Sequence, residues 1–173
     1  MATITRFANV REIEGKREEI SWAELFLKFS APTAFKGNSE HPGWSPATFE
    51  PCRRVQANVT EIFAACLDYD GEESLQEVAA VWGSAFGLLY TTRRHTPQNP
   101  RLRVILPWSR PVSVAQHAKL WLKLQSHVGG KLDSHTKDPG RFWYEPGAED
   151  VRLFEARFLE GAVLNPDEWL LHA

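Results

Sequence analysis

The sequence predicts an α+β fold in which helices cover one side of a largely antiparallel sheet. Three observations carry that prediction. Short runs rich in β-branched and aromatic residues recur along the chain. Two capping boxes, Ser21 with Glu24 and Ser113 with Gln116, open helices between those runs. Gly and Pro punctuate the connections.

Taken in order, "ATITRFANV" (2–10) reads as a first strand, and the helix opened by Ser21 runs to about Phe29. The segment "KGNSEHPGWSPATFEP" (36–51) carries Gly and Pro at close intervals and predicts a long ordered loop, a feature that is often functional. "FAACLDYD" (63–70) is the most strand-like stretch and ends at a Gly71 turn. A helix follows around "ESLQEVAAVWGSA", with Leu75, Val78, Ala79 and Trp82 on one face. Two more strands are "GLLYTT" (87–92) and "RLRVIL" (101–106). The helix opened by Ser113 stops at Gly129 and Gly130. Then come a short "KLD" segment that reads as a strand, a strand in "RFWYEP", and a last helix announced by Asn165 before Pro166.

The totals limit the function classes. At 173 residues the chain suits one domain, residues 1–173, with a substantial core. A formal charge of −2 gives no global basic signature, so any nucleic-acid contact must be a local patch. The two cysteines, Cys52 and Cys66, are not spaced as a zinc ribbon or a disulfide framework and fit a reducing, cytoplasmic setting. No apolar run is long enough to span a membrane, and the N-terminus lacks the apolar core of a signal peptide.

Chemistry is concentrated in a few stretches. Alternation along "FAACLDYD" puts Asp68 and Asp70 on one side with Ala64 and Cys66, and Phe63, Ala65, Leu67 and Tyr69 on the other. Two carboxylates so close repel unless a cation neutralises them, and hard ions such as Mg²⁺ or Mn²⁺ use such pairs. In "TRRHTPQNPRLRVIL", His95 lies just past one strand, and Arg101 and Arg103 share a face of the next. An arginine pair beside a histidine suits triphosphate, because the guanidinium fork matches phosphate oxygens. Asp133 follows the glycine stop and supplies a third acid.

The order "CLDYD", then "TTRRHT", then "LDSHTKDPGRFWY" resembles the three motifs of archaeo-eukaryotic-type primases, most closely the primase-polymerase domains of bacterial plasmid and phage replication proteins. "ISWAEL", "GWSPATF", "PRLRVILPWSRPVS" and "DPGRFWYEP" extend the likeness over residues 20–146. The resemblance implies an RRM-like antiparallel sheet packed on helices. It implies a nucleotidyltransferase that makes or extends strands on a single-stranded DNA template from nucleoside triphosphates. Asp68, Asp70 and Asp133 would hold two Mg²⁺ or Mn²⁺ ions and His95 would touch the nucleotide's phosphates. One departure is Arg93, which stands where that family has a small residue, usually Ser, two places before the histidine. On the residues themselves, Arg101 and Arg103 would position the triphosphate, and Arg141 with Trp143 would touch the template by charge and stacking. No Walker A pattern occurs, so any helicase motor would be a separate protein or a segment outside these residues. Two other readings are a replication-initiator endonuclease that nicks through a tyrosine and a non-catalytic single-strand-binding module. The first needs two histidines separated by one apolar residue, and none of the six histidines is so spaced.

Overall fold

The computed structural model describes residues 1–171 and divides their strands between two antiparallel sheets. The strands are β1 (Ala2–Phe7), β2 (Lys16–Ile20), β3 (Gly43–Ser45), β4 (Ala47–Phe49), β5 (Val59–Asp70), β6 (Phe86–Thr91), β7 (Arg101–Val112), β8 (Trp143–Tyr144) and β9 (Ala156–Glu160). The helices are α1 (Trp22–Phe29), α2 (Leu75–Val81), α3 (Val114–His127) and α4 (Pro166–Leu171). The smaller sheet has the order β2-β1-β3-β8 and the larger β4-β5-β7-β6-β9.

The helices lie on both sides of the larger sheet, which corrects the expectation that they cover one. Runs such as "FAACLDY" and "RLRVILPW" are apolar at nearly every position, which is what a strand buried on both faces requires. Ala65, Leu67 and Tyr69 of β5, Val104 and Leu106 of β7 and Leu89 of β6 form one core with Leu75 and Val78 of α2 and Leu120, Trp121 and Leu124 of α3. On the opposite face Ala64, Cys66, Leu88, Tyr90 and Ile105 pack against Leu25, Phe26 and Phe29 of α1 and against Ile4, Trp44 and Trp143 of the smaller sheet. The larger sheet is therefore the middle layer.

Several local expectations are corrected. Residues 36–51 are not all loop, because "GWS" and "ATF" are β3 and β4, buried throughout and split by Pro46. Phe63 faces the same side as Ala64 and Cys66, not Ala65: a register shift between Ile62 and Ala64 turns two consecutive residues to new faces. β7 runs on through Pro107, which sits at that irregularity and beyond the pairing with β6. The Ser113–Gln116 capping box forms, and so does one at Ser74–Glu77, whereas Ser21 caps α1 without a side-chain hydrogen bond. β2 and β9 were not anticipated, for each is an edge strand burying one residue, Ile20 and Leu159. Gly71 ends β5 with a positive φ of 106°, a conformation that glycine adopts without strain. No described helix is long and apolar enough to cross a membrane.

Candidate active site

Antiparallel pairing of β5 with β7 sets Asp68 opposite Arg103 and Asp70 opposite Arg101. Pairing of β7 with β6 adds Tyr90 beside Arg103, and the Thr92 amide donates to the Arg101 carbonyl at 2.8 Å. Side chains two apart on a strand share a face, so the acids and arginines form two adjoining rows on the side of the sheet that faces β8.

In the inner row Arg103 donates through Nε and Nη2 to the two oxygens of Asp68, at 2.7 and 3.2 Å, and through Nη1 to the Tyr144 carbonyl at 3.3 Å. Its guanidinium lies 4.6 Å from the Trp143 ring and 6.0 Å from that of Tyr90. Only 13% of the Arg103 side chain and 14% of Asp68 are exposed. Burial works against the arginine's charge, but Asp68 and Tyr90 outweigh it and hold the pKa above the ordinary arginine value. Burial likewise pushes the Tyr90 hydroxyl up to about 12, against the pull of Arg103. The outer row is looser, with 3.7 Å between Arg101 Nη1 and Asp70 Oδ1 and both side chains at least one-third exposed. Desolvation, followed by repulsion from Asp68, raises the Asp70 pKa above the ordinary carboxylate value; Asp133 adds to this, and Arg101 and Arg103 oppose it.

Asp133 arrives by another route. Gly129 and Gly130, both at positive φ, reverse the chain after α3, and Leu132 plugs into the core. Gln125 of α3 then clasps the Leu132 backbone from both sides: its amide donates to the Leu132 carbonyl at 2.9 Å and accepts from the Leu132 N–H at 2.8 Å. The next N–H, that of Asp133, donates to the Asp68 carbonyl at 3.1 Å, where β5 runs on past its pairing with β4. The expected short strand is thus a single backbone hydrogen bond followed by a 3₁₀ turn, Ser134–Thr136, capped by the Asp133 carboxylate. Burial disfavours the Asp133 charge, but hydrogen bonds from the His135 backbone and ring, with Arg141 nearby, bring its pKa below the ordinary range. Gln125→Ala should leave the Leu132 amide and carbonyl unpaired, lower stability by about 1–3 kcal/mol in urea titration, and speed hydrogen exchange at the Asp133 amide.

Asp68, Asp70 and Asp133 line one cavity of about 270 Å³ together with Arg101, Arg103 and Arg141. Three oxygen-donor side chains suit a hard divalent ion in chemistry. In their present arrangement no three His, Cys, Asp or Glu side chains among the described residues are gathered closely enough to hold one, and Asp68 is engaged by Arg103. Of the two arginines expected to clamp phosphate, Arg101 has a buried Nε without a partner, whereas Arg103 is committed to Asp68. His95 lies outside the cavity lining; its Nδ1 accepts from the Arg101 N–H at 3.1 Å, which puts the proton of the neutral ring on Nε2. Burial lowers the His95 pKa, with Glu155 pulling the other way. Arg141 lines the wall and donates to the His135 carbonyl at 3.0 Å. Trp143 corrects the stacking expectation: it is 4% exposed, and its ring is met by the guanidiniums of Arg103 and Arg141 instead of facing solvent.

Sequence reasoning missed the far wall. Phe35 meets the Arg93 guanidinium at 4.7 Å, Arg93 also hydrogen-bonds Asn38, and the Tyr144 hydroxyl donates to the Asn38 carbonyl at 2.6 Å. Phe35, Arg93 and Tyr144 all line the cavity, and Asn38, in the loop that the glycines and prolines of 36–51 mark, ties Arg93 to Tyr144. The place of Arg93, where the primase motif has a small residue, is thus filled by a side chain that closes the cavity on this loop. For the nicking reading, Tyr69 and Tyr90 are buried, and the third tyrosine is the Tyr144 just described.

A protein-family model, the VapE N-terminal domain, matches residues 1–172. The chain belongs to the VapE N-terminal domain family. Among solved structures, this VapE N-terminal domain is similar to the AEP domain of the cyanophage S-2L primase-polymerase, with a TM-score of 0.59 and 15% identity. The likeness covers 98% of this chain and 88% of that one. At that identity it establishes the fold, and the fold is the RRM-like primase-polymerase core that the three motifs implied. No curated protein matches the chain.

Proposed function

We propose that this VapE N-terminal domain is a template-directed nucleotidyltransferase, one that synthesises primers or extends DNA from nucleoside triphosphates during replication. The observation that carries the reading is the convergence of Asp68, Asp70 and Asp133, from β5 and from the loop after α3, on one arginine-lined cavity. Three carboxylates beside arginines suit metal-assisted attack on a nucleotide's α-phosphate.

Asp68, Asp70 and Asp133 would hold two Mg²⁺ or Mn²⁺ ions, which when bound supply activation of a 3′-hydroxyl and charge stabilisation on the leaving pyrophosphate. The remaining tasks fall to the chain itself. Arg101, one-third exposed and with its Nε unpartnered, binds and orients the triphosphate, with Arg93 and Arg94 lining the same cavity. His95 anchors the start of β7 through the Arg101 amide and offers Nε2–H to phosphate. Arg103 is a positioning residue that fixes the carboxylate of Asp68 in a low-dielectric setting. Arg141 guides the single-stranded template by its charge. The catalytic unit spans residues 1–173, it works in the reducing interior of the cell, and a strand-separating helicase activity accompanies it.

Primer extension tests this directly. Wild-type protein, a primed or bare single-stranded template, nucleoside triphosphates and Mn²⁺ or Mg²⁺ should yield strands whose added bases follow the template, and EDTA should stop their growth. Wild type that adds no nucleotide to any primed template, in either metal, overturns the proposal.

A further inference from the structure

A second cavity, of about 280 Å³, backs onto the first: Glu145 and Pro146 line both. Its other charged lining residues are three cations brought from three elements, Arg6 from β1, Lys28 from α1 and Lys36 from the loop before β3. Glu145 is the one carboxylate that lines it. Arg6 Nη2 and Lys28 Nζ both converge on Glu145 Oε1, at 2.5 and 3.3 Å, while Arg6 Nη1 reaches outward to Glu18 at 3.5 Å. Lys36 has no ion pair among the described residues. The lining therefore sets three cations against one carboxylate and stays net positive even with Glu18 paired to Arg6 from outside it, in a chain whose overall charge is −2.

The arrangement is held from beneath. His41, 1% exposed, accepts the Lys36 N–H at Nδ1 and pairs through Nε2 with the Glu145 carbonyl, at 3.2 and 2.9 Å. With Nδ1 accepting, Nε2 carries the proton and donates, so one neutral imidazole ties the cationic loop to the wall shared with the catalytic cavity. Phe35, next to Lys36, faces the catalytic cavity while Lys36 faces the second one. Like charges gathered around one carboxylate repel, and an oxyanion relieves that repulsion; Lys28 and Lys36 offer it two ammonium groups, which suit a terminal phosphate, with its three free oxygens, better than a diester.

We propose that the cavity of Arg6, Lys28 and Lys36 is a second phosphate site, which takes the terminal phosphate of a nucleotide or of a strand engaged by the neighbouring cavity. The identity of the ligand rests on the transferase reading; the oxyanion chemistry does not. The phosphate binds to Lys28 and Lys36, whose ammonium donors are the least committed, and Arg6 stays on Glu145 as fixed background charge.

The test is equilibrium binding in EDTA with three probes: ATP, a short oligodeoxynucleotide bearing a 5′-phosphate, and the same strand with a 5′-hydroxyl. Lys36→Gln, which breaks no ion pair, should weaken the phosphate-bearing probe about tenfold, and Lys28→Gln with Lys36→Gln about 100-fold, as charge-assisted hydrogen bonds predict. A control pair away from the cavity, Lys16→Gln with Lys119→Gln, matches the charge change. Loss with ATP identifies a free nucleotide as the source, and loss confined to the 5′-phosphorylated strand identifies the strand end. If both probes weaken no more than in the control pair, the site does not exist. Wild type that shows the Lys28 and Lys36 dependence but never extends a primer sinks the transferase reading and leaves the phosphate site standing; the converse sinks the phosphate site alone.

Discussion

An Asp70→Asn protein is expected to resist urea better than wild type at pH 7 and to have lost nucleotide transfer by roughly 100- to 1,000-fold, the scale of removing a preorganised charge from a reacting centre. The two effects share one cause. Desolvation and the neighbouring Asp68 and Asp133 carboxylates raise the pKa of Asp70, so the folded chain holds this side chain in a charged state that it disfavours. An acid whose folded pKa is raised binds its proton more tightly in the native state, so stability falls as pH rises from the ordinary carboxylate pKa through the raised one. Above that window, at neutral pH, wild type bears the full cost and the Asn variant does not. Below the ordinary carboxylate range Asp70 is protonated in both states, and the advantage of the variant should disappear. Urea titrations at acid and neutral pH, run beside primer extension, measure both halves. A variant that keeps wild-type extension rates removes Asp70 from the reaction. One that is less stable than wild type at pH 7 means that Arg101, 3.7 Å away, outweighs the repulsion.

The acids and their surroundings were legible to different degrees, for physical reasons. Period two along β5 was sufficient to put Asp68 and Asp70 on one face, because both residues lie beyond the irregularity at Ile62–Ala64. Upstream of it the same rule misplaced Phe63, since a bulge is set by the partner strand and leaves no mark in the strand's own pattern. Period two also grouped Arg101 with Arg103, but only register reveals that each faces an acid across the ladder. That pairing turns Arg103 from a free cation into the clamp on Asp68. Asp133 was recognisable from the glycine stop before it and the motif around it, whereas the Gln125 clasp that sets its position is a side-chain contact with no local signature. The buried Trp143 and the far wall of Phe35, Arg93 and Tyr144 depend on how the smaller sheet docks on the larger. The edge strands β2 and β9 lacked the apolar alternation by which strands are read at all.

The inner row predicts the opposite stability effect. Arg103→Met should destabilise the protein by about 3–5 kcal/mol, because it leaves Asp68 as a largely buried carboxylate without its bidentate partner. Against a total stability of about 5–15 kcal/mol for a typical domain, such a loss is severe. Arg103→Lys should recover only part of it, since an ammonium cannot reproduce the two parallel bonds at 2.7 and 3.2 Å or lie flat on the Trp143 ring. If the cost arises from the stranded charge, removing that charge as well should restore most of it: Asp68→Asn with Arg103→Met should lie closer to wild type than Arg103→Met alone. With wild type and Asp68→Asn alone, Arg103→Met and the double variant complete a double-mutant cycle readable by urea denaturation. Arg103→Met within about 0.5 kcal/mol of wild type, the range of ordinary surface substitutions, would mean that water or rearrangement satisfies Asp68 without its arginine. A severe loss in the single variant with recovery in the double one would locate the energetic centre of the site in this pair. It would also follow that a divalent ion reaches Asp68 only in competition with Arg103, so that metal alone should bind weakly. Nucleoside triphosphate, by giving the displaced guanidinium a new anionic partner, should strengthen metal binding by the same factor as metal strengthens nucleotide binding, as linkage requires.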